Sequence, residues 1–430
     1  MKNTPLHQTG GSNLTGIAQY NERLILQLIR RAGSLPKAEI ARMTNLSAQT
    51  ASVIINRLIE QQLLHKQKPL KAAGKVGQPA IPIALNPEGA LSLGVKIGRR
   101  SLDVILINFV GDILDQITHT YPYPDPDFIF PQISAALHLL RKRLPASHRK
   151  RLLGIGIASP YGLGGWQLEA DIPDHITQSW NRTDIKKTVQ EDHPELPVWL
   201  VNDATAACIA ALEFDSPPRL NNYLYIFVGT FIGGGIIMNR TLYNGSFNNA
   251  GALGSMPLPR HYADPGHTGQ PLPDGHTDGN TVQLINCASL YLMYRRLVAL
   301  GANPDRALEA FGAAGKSGIP DAHQHIMDAW MAQAAPAIAY AIVSAISVID
   351  FEGVVIDSLM PANMTARLTA EVEQAISSLD LEGLSLPRLY AGRIGSKARA
   401  LGGAFLPFYT HFAPDRSILV SGENHVFHAF

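Results

Sequence analysis

Residues 223–243 read YLYIFVGTFIGGGIIMNRTLY. Six strand-forming residues, Tyr223 to Val228, run into a glycine-rich turn. A second strand then covers Gly234 to Met238, and Thr241-Leu242-Tyr243 returns after a turn at Asn239-Arg240. The same grammar occurs earlier. Residues 91–120 give a strand, a turn at Gly98-Arg99-Arg100, a strand from Leu102 to Phe109, a turn at Gly111-Asp112 and a strand from Ile113 to Thr118. Two such openings about 130 residues apart, each followed by helical material, predict a duplicated α/β lobe. Two similar lobes meeting at a hinge leave a cleft, the usual place for a small ligand.

The 430 residues are 46% hydrophobic and 17% charged, with 37 glycines, which fits a globular α/β chain of two or three domains. Neither an apolar leader nor an uninterrupted apolar stretch of about 20 residues is found, so neither a signal peptide nor a membrane span is expected. Cys208 and Cys287 are too few for a disulfide framework or a cysteine-rich zinc site. These features predict a cytoplasmic protein.

The near-neutral total conceals a division. Residues 1–85 hold eleven Lys/Arg against three acids, a net +8, whereas residues 86–430 hold 25 against 32, a net −7. A basic module joined to an acidic one suits a partner that is a polyanion, here double-stranded DNA. Within the basic module the periodicity predicts a helix from about Ile17 to Ala32, with Leu24, Ile25, Leu28 and Ile29 on its apolar face and Gly33 ending it. A second helix covers Lys37 to Met43, and Ser47 caps a third, Ala48 to Gln61. Ala51, Ile54 and Leu58 would pack on Ile40, Ala41 and Leu46, as in a helix-turn-helix. Opposite them lie Gln49, Thr50, Ser52, Asn56 and Arg57, side chains fit for base edges and phosphates in a major groove. A polar face on a short helix is ordinary, but this one sits directly after a tight turn in the basic segment. Residues 63–68 and 80–85 would form a wing, and Lys71 and Lys75, beside the Gly74/Gly77/Pro79 turn, would reach phosphate.

In the acidic part, Gly229-Thr230-Phe231-Ile232-Gly233-Gly234-Gly235 lets backbone N–H groups approach an anion, although a tight hairpin also needs glycine. The strand Val198-Trp199-Leu200-Val201 ends at Asn202-Asp203. A carboxylate there could accept a hydroxyl proton or bond a polyol, or could cap the helix that follows.

With these residues in view, the chain resembles the ROK family (repressors, open reading frames and kinases) in its regulator form with an N-terminal winged helix-turn-helix. The resemblance runs through Gly77-Gln78-Pro79-Ala80, Leu93 to Leu114, Gly154 to Pro160, Val201-Asn202-Asp203-Ala204, Gly229 to Gly235, Leu242-Tyr243-Asn244-Gly245, Asn249-Ala250-Gly251 and Leu401-Gly402-Gly403-Ala404. It implies an α/β fold: a winged helix-turn-helix at 1–85, then a two-lobed actin-like domain of the sugar-kinase type. Lobe I would comprise 86–200 and about 395–430, and lobe II 201–394. It further implies a homodimer or homotetramer whose cleft takes a sugar or sugar derivative through Asn202, Asp203, Gly229, Thr230, Gly233, Gly234 and Asn249.

The departures from the family are chemical. Family kinases place an Asp in the first hairpin, where this chain has Lys96-Ile97-Gly98-Arg99-Arg100-Ser101. Their Glu-x-Gly-His motif reads Ala252-Leu253-Gly254-Ser255, and their cysteine-rich zinc motif is a His/Pro/Gly loop, Pro257 to Asn280. Magnesium-ATP would be poorly held and phosphoryl transfer slow. His261, His267, His276 and Cys287 are irregularly spaced and read as no metal site, and no cofactor is expected. The expected function is a DNA-binding repressor of carbohydrate-related genes that answers a sugar-like ligand. Gln49, Thr50, Ser52 and Asn56 would read the operator, with Arg57, Lys71 and Lys75 on phosphate and Ser47 also counted among the DNA-binding residues. The alternative is an ATP-dependent sugar kinase, for hexose or N-acetylhexosamine, in which Asp203 would be the catalytic base.

Overall fold

The computed structural model describes residues 14–69, 80–160, 163, 172–215, 220–263, 281–313 and 319–414. Lys71, Lys75 and the Gly74/Gly77/Pro79 turn lie outside the described residues, as do His267 and His276. Chain contacts divide the protein into two compact units. The first comprises Met1–Ser159, Thr183–Val201 and Gly403–Phe430, and the second Pro160–Arg182 and Asn202–Gly402.

The first unit opens with helix α1 (Leu14–Ala32), strand β1 (Ser34–Pro36), helices α2 (Lys37–Thr44) and α3 (Ala48–Glu60), and strands β2 (Leu64–Lys66) and β3 (Pro82–Leu85). The apolar stripe of α1 is Ile25, Leu26 and Ile29, all buried, whereas Leu24 and Leu28 are only half-buried. Gly33, at φ +75°, releases the chain from the helix, a conformation open to glycine at little cost. Asn45, also left-handed, closes α2, its backbone N–H donating to the carbonyl of Arg42. The short strand β1 does not follow from the helical reading of this segment. Its three residues pair antiparallel with β3, with Leu35 opposite Ile83, so β3 is central in a sheet of order β1-β3-β2. Tertiary pairing supplies what so short a run cannot hold alone.

The same unit continues with β4 (Leu91–Ile97), β5 (Ser101–Asn108), β6 (Ile113–Thr120), α4 (Pro126–Arg143), α5 (Ala146–Arg149) and β7 (Leu152–Ser159). Helix α6 (Asp174–Arg182) belongs to the second unit, and α7 (Ile185–Asp192) and β8 (Val198–Asn202) follow. The sheet order is β6-β5-β4-β7-β8, antiparallel through β6, β5 and β4 and parallel from β4 to β7.

The second unit repeats this plan. Helix α8 (Asp203–Ala210) precedes β9 (Tyr223–Val228), β10 (Ile232–Met238) and β11 (Thr241–Tyr243). A small ribbon, β12 (Pro257–Pro259) with β13 (Thr281–Gln283), leads to α9 (Ile285–Ala288), α10 (Leu290–Ala299), α11 (Pro304–Gly312) and α12 (Asp321–Ile346). Strand β14 (Gly353–Ser358), α13 (Ala362–Ile376), β15 (Arg388–Ala391) and α14 (Ala398–Phe412) complete the described chain. Its five-stranded sheet runs β11-β10-β9-β14-β15. In both sheets the third, second, first, fourth and fifth strands lie side by side, with the same antiparallel-then-parallel pairing. The duplication expected from the two openings is therefore a duplication of topology.

Helix α12 is long and apolar enough by composition to cross a membrane, but it is mostly buried as the central helix of the second unit's core. Trp330 in it is fully buried and donates its indole N–H to the Ser289 carbonyl at 3.0 Å. Cys208 and Cys287 are buried free thiols, and burial raises both thiol pKa values.

Two packing features yield measurable expectations. A Cβ at Gly156 of β7 would lie 1.9 Å from the Gly403 carbonyl oxygen of α14. Backbone cannot yield as a side chain does, so Gly156→Ala is expected to destabilise the protein by about 3 kcal/mol or to prevent folding, read by chemical denaturation. His193 is fully buried beside the His138 ring and Arg141, and its pKa is lowered chiefly by desolvation and then by those cations. Its contribution to stability is present above the ordinary imidazole value of about 6.5 and is lost as pH falls through the folded value. The denaturation midpoint should fall between pH 7 and 5, and His193→Gln should flatten that slope.

Candidate functional site

In the N-terminal module the α2–α3 packing is made by buried Ile40, Ala41, Ala51, Ile54, Ile55 and Leu58. Gln49, Thr50, Asn56 and Arg57 are exposed on α3, and Ser52 is half-buried. Ser47 is the N-cap: its Oγ accepts the Thr50 N–H at 3.0 Å and lies 2.8 Å from Thr50 Oγ1. Both hydroxyls therefore have a local structural task. Asn56 Oδ1 accepts from Lys37 Nζ at 2.6 Å, and Arg57 is ion-paired with Glu22 of α1. The exposed face of α3 is thus braced from α1 and α2 rather than fully available.

This module is fastened to the β4–β8 sheet within the first unit by three arginines. Arg30 of α1 donates to the Phe109 carbonyl at 2.6 Å, and its guanidinium lies over the Phe109 ring (4.9 Å) and the Phe405 ring (4.8 Å). Partly desolvated cation–π contacts of this kind contribute up to about 2 kcal/mol. Phe109 in turn meets Phe408 and Phe412 edge-on. Arg23 donates to the Ala413 carbonyl at 3.3 Å. Arg151 donates to the carbonyls of Gln61 (3.1 Å) and Gly89 (3.2 Å) and to the Gln62 side chain. None of the three was singled out from sequence, because each partner is distant along the chain.

In the second unit, Asn202 caps α8 by accepting the Ala204 N–H at 3.0 Å. Asp203 is the first residue of α8, and its Oδ2 accepts from Arg399 Nη1 at 3.2 Å. Arg399 is buried, its guanidinium 5.5 Å from the Phe227 ring centre. The sequence reading left open whether Asp203 caps the helix; Asn202 takes that task, and Arg399 is a site residue it missed.

The glycine run serves packing. Gly233 and Gly234 lie in β10, where a Cβ on Gly233 would meet Ala204 Cβ at 2.7 Å and one on Gly234 would meet Leu253 and the Tyr225 carbonyl at 2.5 Å. A Cβ on Gly235 would lie 2.6 Å from Cys208 Sγ. The glycines let α8 and the Gly251–Leu253 segment lie directly on β10. The hairpin turn itself is Gly229-Thr230-Phe231, whose Gly229 and Thr230 carbonyls accept from Leu290 and Tyr291 N–H groups at 3.1 and 3.0 Å. Gly233 is thereby brought to the start of α8, beside Asn202 and Asp203. Asn249 is exposed on the loop closed by the Ala250 N–H to Asn244 carbonyl bond.

At the first hairpin Lys96 is buried, its ammonium donating to Asp103 Oδ2 (2.9 Å) and Ser101 Oγ (2.6 Å). A cation thus neutralises the carboxylate there. Among the described residues no group of three or more His, Cys, Asp or Glu is disposed to hold a metal, and His261 is exposed.

Comparison with known proteins agrees with this geometry. Residues 92–275 match the model of the ROK family, and residues 19–64 that of the winged helix-turn-helix DNA-binding domain. A xylose repressor of Bacillus spizizenii is 26% identical over 244 residues, which are 57% of this chain and 62% of the repressor. The crystal structure of a ROK family transcriptional regulator, a homologue of the E. coli Mlc protein, superposes with a TM-score of 0.60 over 93% of this chain and 98% of that one at 20% identity. A Streptomyces griseus ROK glucokinase with glucose and AMPPNP gives 0.51 over 74% of this chain and 99% of its own, also at 20% identity. The structural likenesses show the fold: winged helix-turn-helix followed by an actin-like two-lobed domain.

Because Ser47 caps α3, Ser47→Ala should cost the helix about 1 kcal/mol. Hydrogen exchange of the Thr50 and Ala51 amides is the direct reading, and Ser47→Asp should restore protection.

Proposed function

From a chain that joins a winged helix-turn-helix domain to a ROK family domain, we infer a sugar-responsive transcriptional repressor acting in the cytoplasm. The observation that carries this reading is the exposed hydrogen-bonding face of α3, set in a segment of net charge +8. Gln49, Thr50, Ser52 and Asn56 are assigned to the operator's major groove, with Arg57, Lys71 and Lys75 on its phosphates. A homodimer presenting two such heads would suit a palindromic operator.

Asn202 and Asp203 are assigned to the sugar, with Gly229, Thr230, Gly233, Gly234 and Asn249 as further lining. One oxygen of the Asp203 carboxylate is engaged by Arg399, so the pair offers a sugar hydroxyl both an acceptor and a fixed donor. The ligand acts by preferring one arrangement of the heads over another, and its effect cannot exceed that difference in affinity. Domains 1–85, 86–200 with about 395–430, and 201–394 are the division of labour we propose: reading DNA, carrying the heads, and holding the ligand. The relatives named as repressors support this reading, and so does the Lys96–Asp103 pair, in which an ammonium occupies a carboxylate that a magnesium ion would need free. We therefore assign no kinase activity.

Genome-wide occupancy should give discrete palindromic peaks beside sugar-uptake or catabolic genes; turnover of ATP with a hexose in a coupled assay would instead favour the kinase. With the operator known, Asp203→Ala should raise the sugar concentration needed for release about tenfold or more, the worth of a charged hydrogen bond. Operator affinity without sugar should stay within about twofold, and equal loss of both would overturn the division between head and ligand site.

A further inference from the structure

The face that α3 presents is not wholly polar. Val53, at its centre, is 62% exposed, one of the most exposed large apolar side chains among the described residues. It stands one turn after Gln49 and one turn before Asn56 and Arg57, so Gln49, Val53 and Asn56 form one stripe on the helix. The apolar core residues of the helix are placed otherwise: Ala51, Ile54, Ile55 and Leu58 are buried, while Ile59 is half-buried and the small Ala48 is exposed. Val53 contributes nothing to that core.

The stripe also has a particular charge pattern. Positions 49, 50, 52, 53 and 56 bear no ionised group, and Arg57 is drawn to Glu22. The bidentate guanidinium contact that most commonly selects guanine is therefore not supplied from these positions. What the stripe offers is amides and hydroxyls flanking two methyl groups. In the major groove the one base that presents a methyl group is thymine, and an apolar side chain packed on it excludes water from both. Asn56, whose Oδ1 is engaged by Lys37, keeps its amide N–H groups as donors, and thymine O4 and the adenine N7 beside it are acceptors.

Resting on the operator reading above, we propose that Val53 is a specificity-determining residue that reads the 5-methyl group of a thymine in each operator half-site. The full-length protein should first select its operator from a pool of random duplexes. Each thymine of the selected site is then replaced singly by deoxyuridine, which removes the methyl group and nothing else, and affinities of wild type and Val53→Ala are measured on every duplex. The expected result is one thymine per half-site whose replacement weakens wild-type binding about fourfold, the worth of one buried methyl. Val53→Ala should bind the thymine duplex about fourfold or more weakly and be indifferent to uracil at that position. Because the side chain is exposed, the variant should melt with the wild type.

A selected operator at which no uracil matters, or a Val53→Ala protein that keeps the full uracil penalty, overturns the assignment to Val53 and leaves the repressor reading standing. Binding without any selected sequence overturns both.

Discussion

The approach of α14 to its neighbours is the constraint on which the rest of this molecule depends. A Cβ at Gly402 would fall 1.6 Å from the Ala206 carbonyl oxygen of α8, and one at Gly94 would fall 2.4 Å from Ala404. The Ser92 hydroxyl donates to the Ala404 carbonyl at 2.6 Å, joining β4 to the same helix. These are backbone approaches that no larger residue permits. Residues 398–402 of this helix count with the second unit and 403–412 with the first. At its start stands Arg399, partner of Asp203; further along stand Phe405 and Phe408, the aromatic seat of Arg30 and its support.

Polar and cation–π contacts fasten the N-terminal module in the first unit. Arg30 meets two rings and a carbonyl, and Arg151 meets two carbonyls and an amide. Such contacts are directional and individually modest, so they hold an orientation without the permanence of a shared core.

Charge is also settled inside the first unit. Lys96 is satisfied by Asp103 and Ser101 on the adjacent strand. A buried ammonium paired in this way leaves no carboxylate free for a hard divalent cation. The start of α8 follows a parallel logic: Asn202 is committed to a helix cap and Asp203 to Arg399, so both side chains are held in place by the protein itself.

Much of this was legible in the sequence, and the reason is local. Alternation and turn chemistry located the three opening strands of each sheet, because the turns at Gly111 and Asn239 take left-handed backbone that these residues adopt readily, whereas β7, β14 and β15 were not read as strands. The third helix, its Ser47 cap and its exposed polar face followed from 3.6-residue periodicity. What the sequence could not disclose were relations between distant residues: β1 pairing with β3, Arg399 meeting Asp203, Arg30 finding Phe109 and Phe405. The Gly233–Gly235 run shows the boundary. Glycine there was equally compatible with an anion cradle and with close packing, and only the position of α8 against β10 shows the packing it permits, because a missing side chain carries no record of which neighbour takes its space.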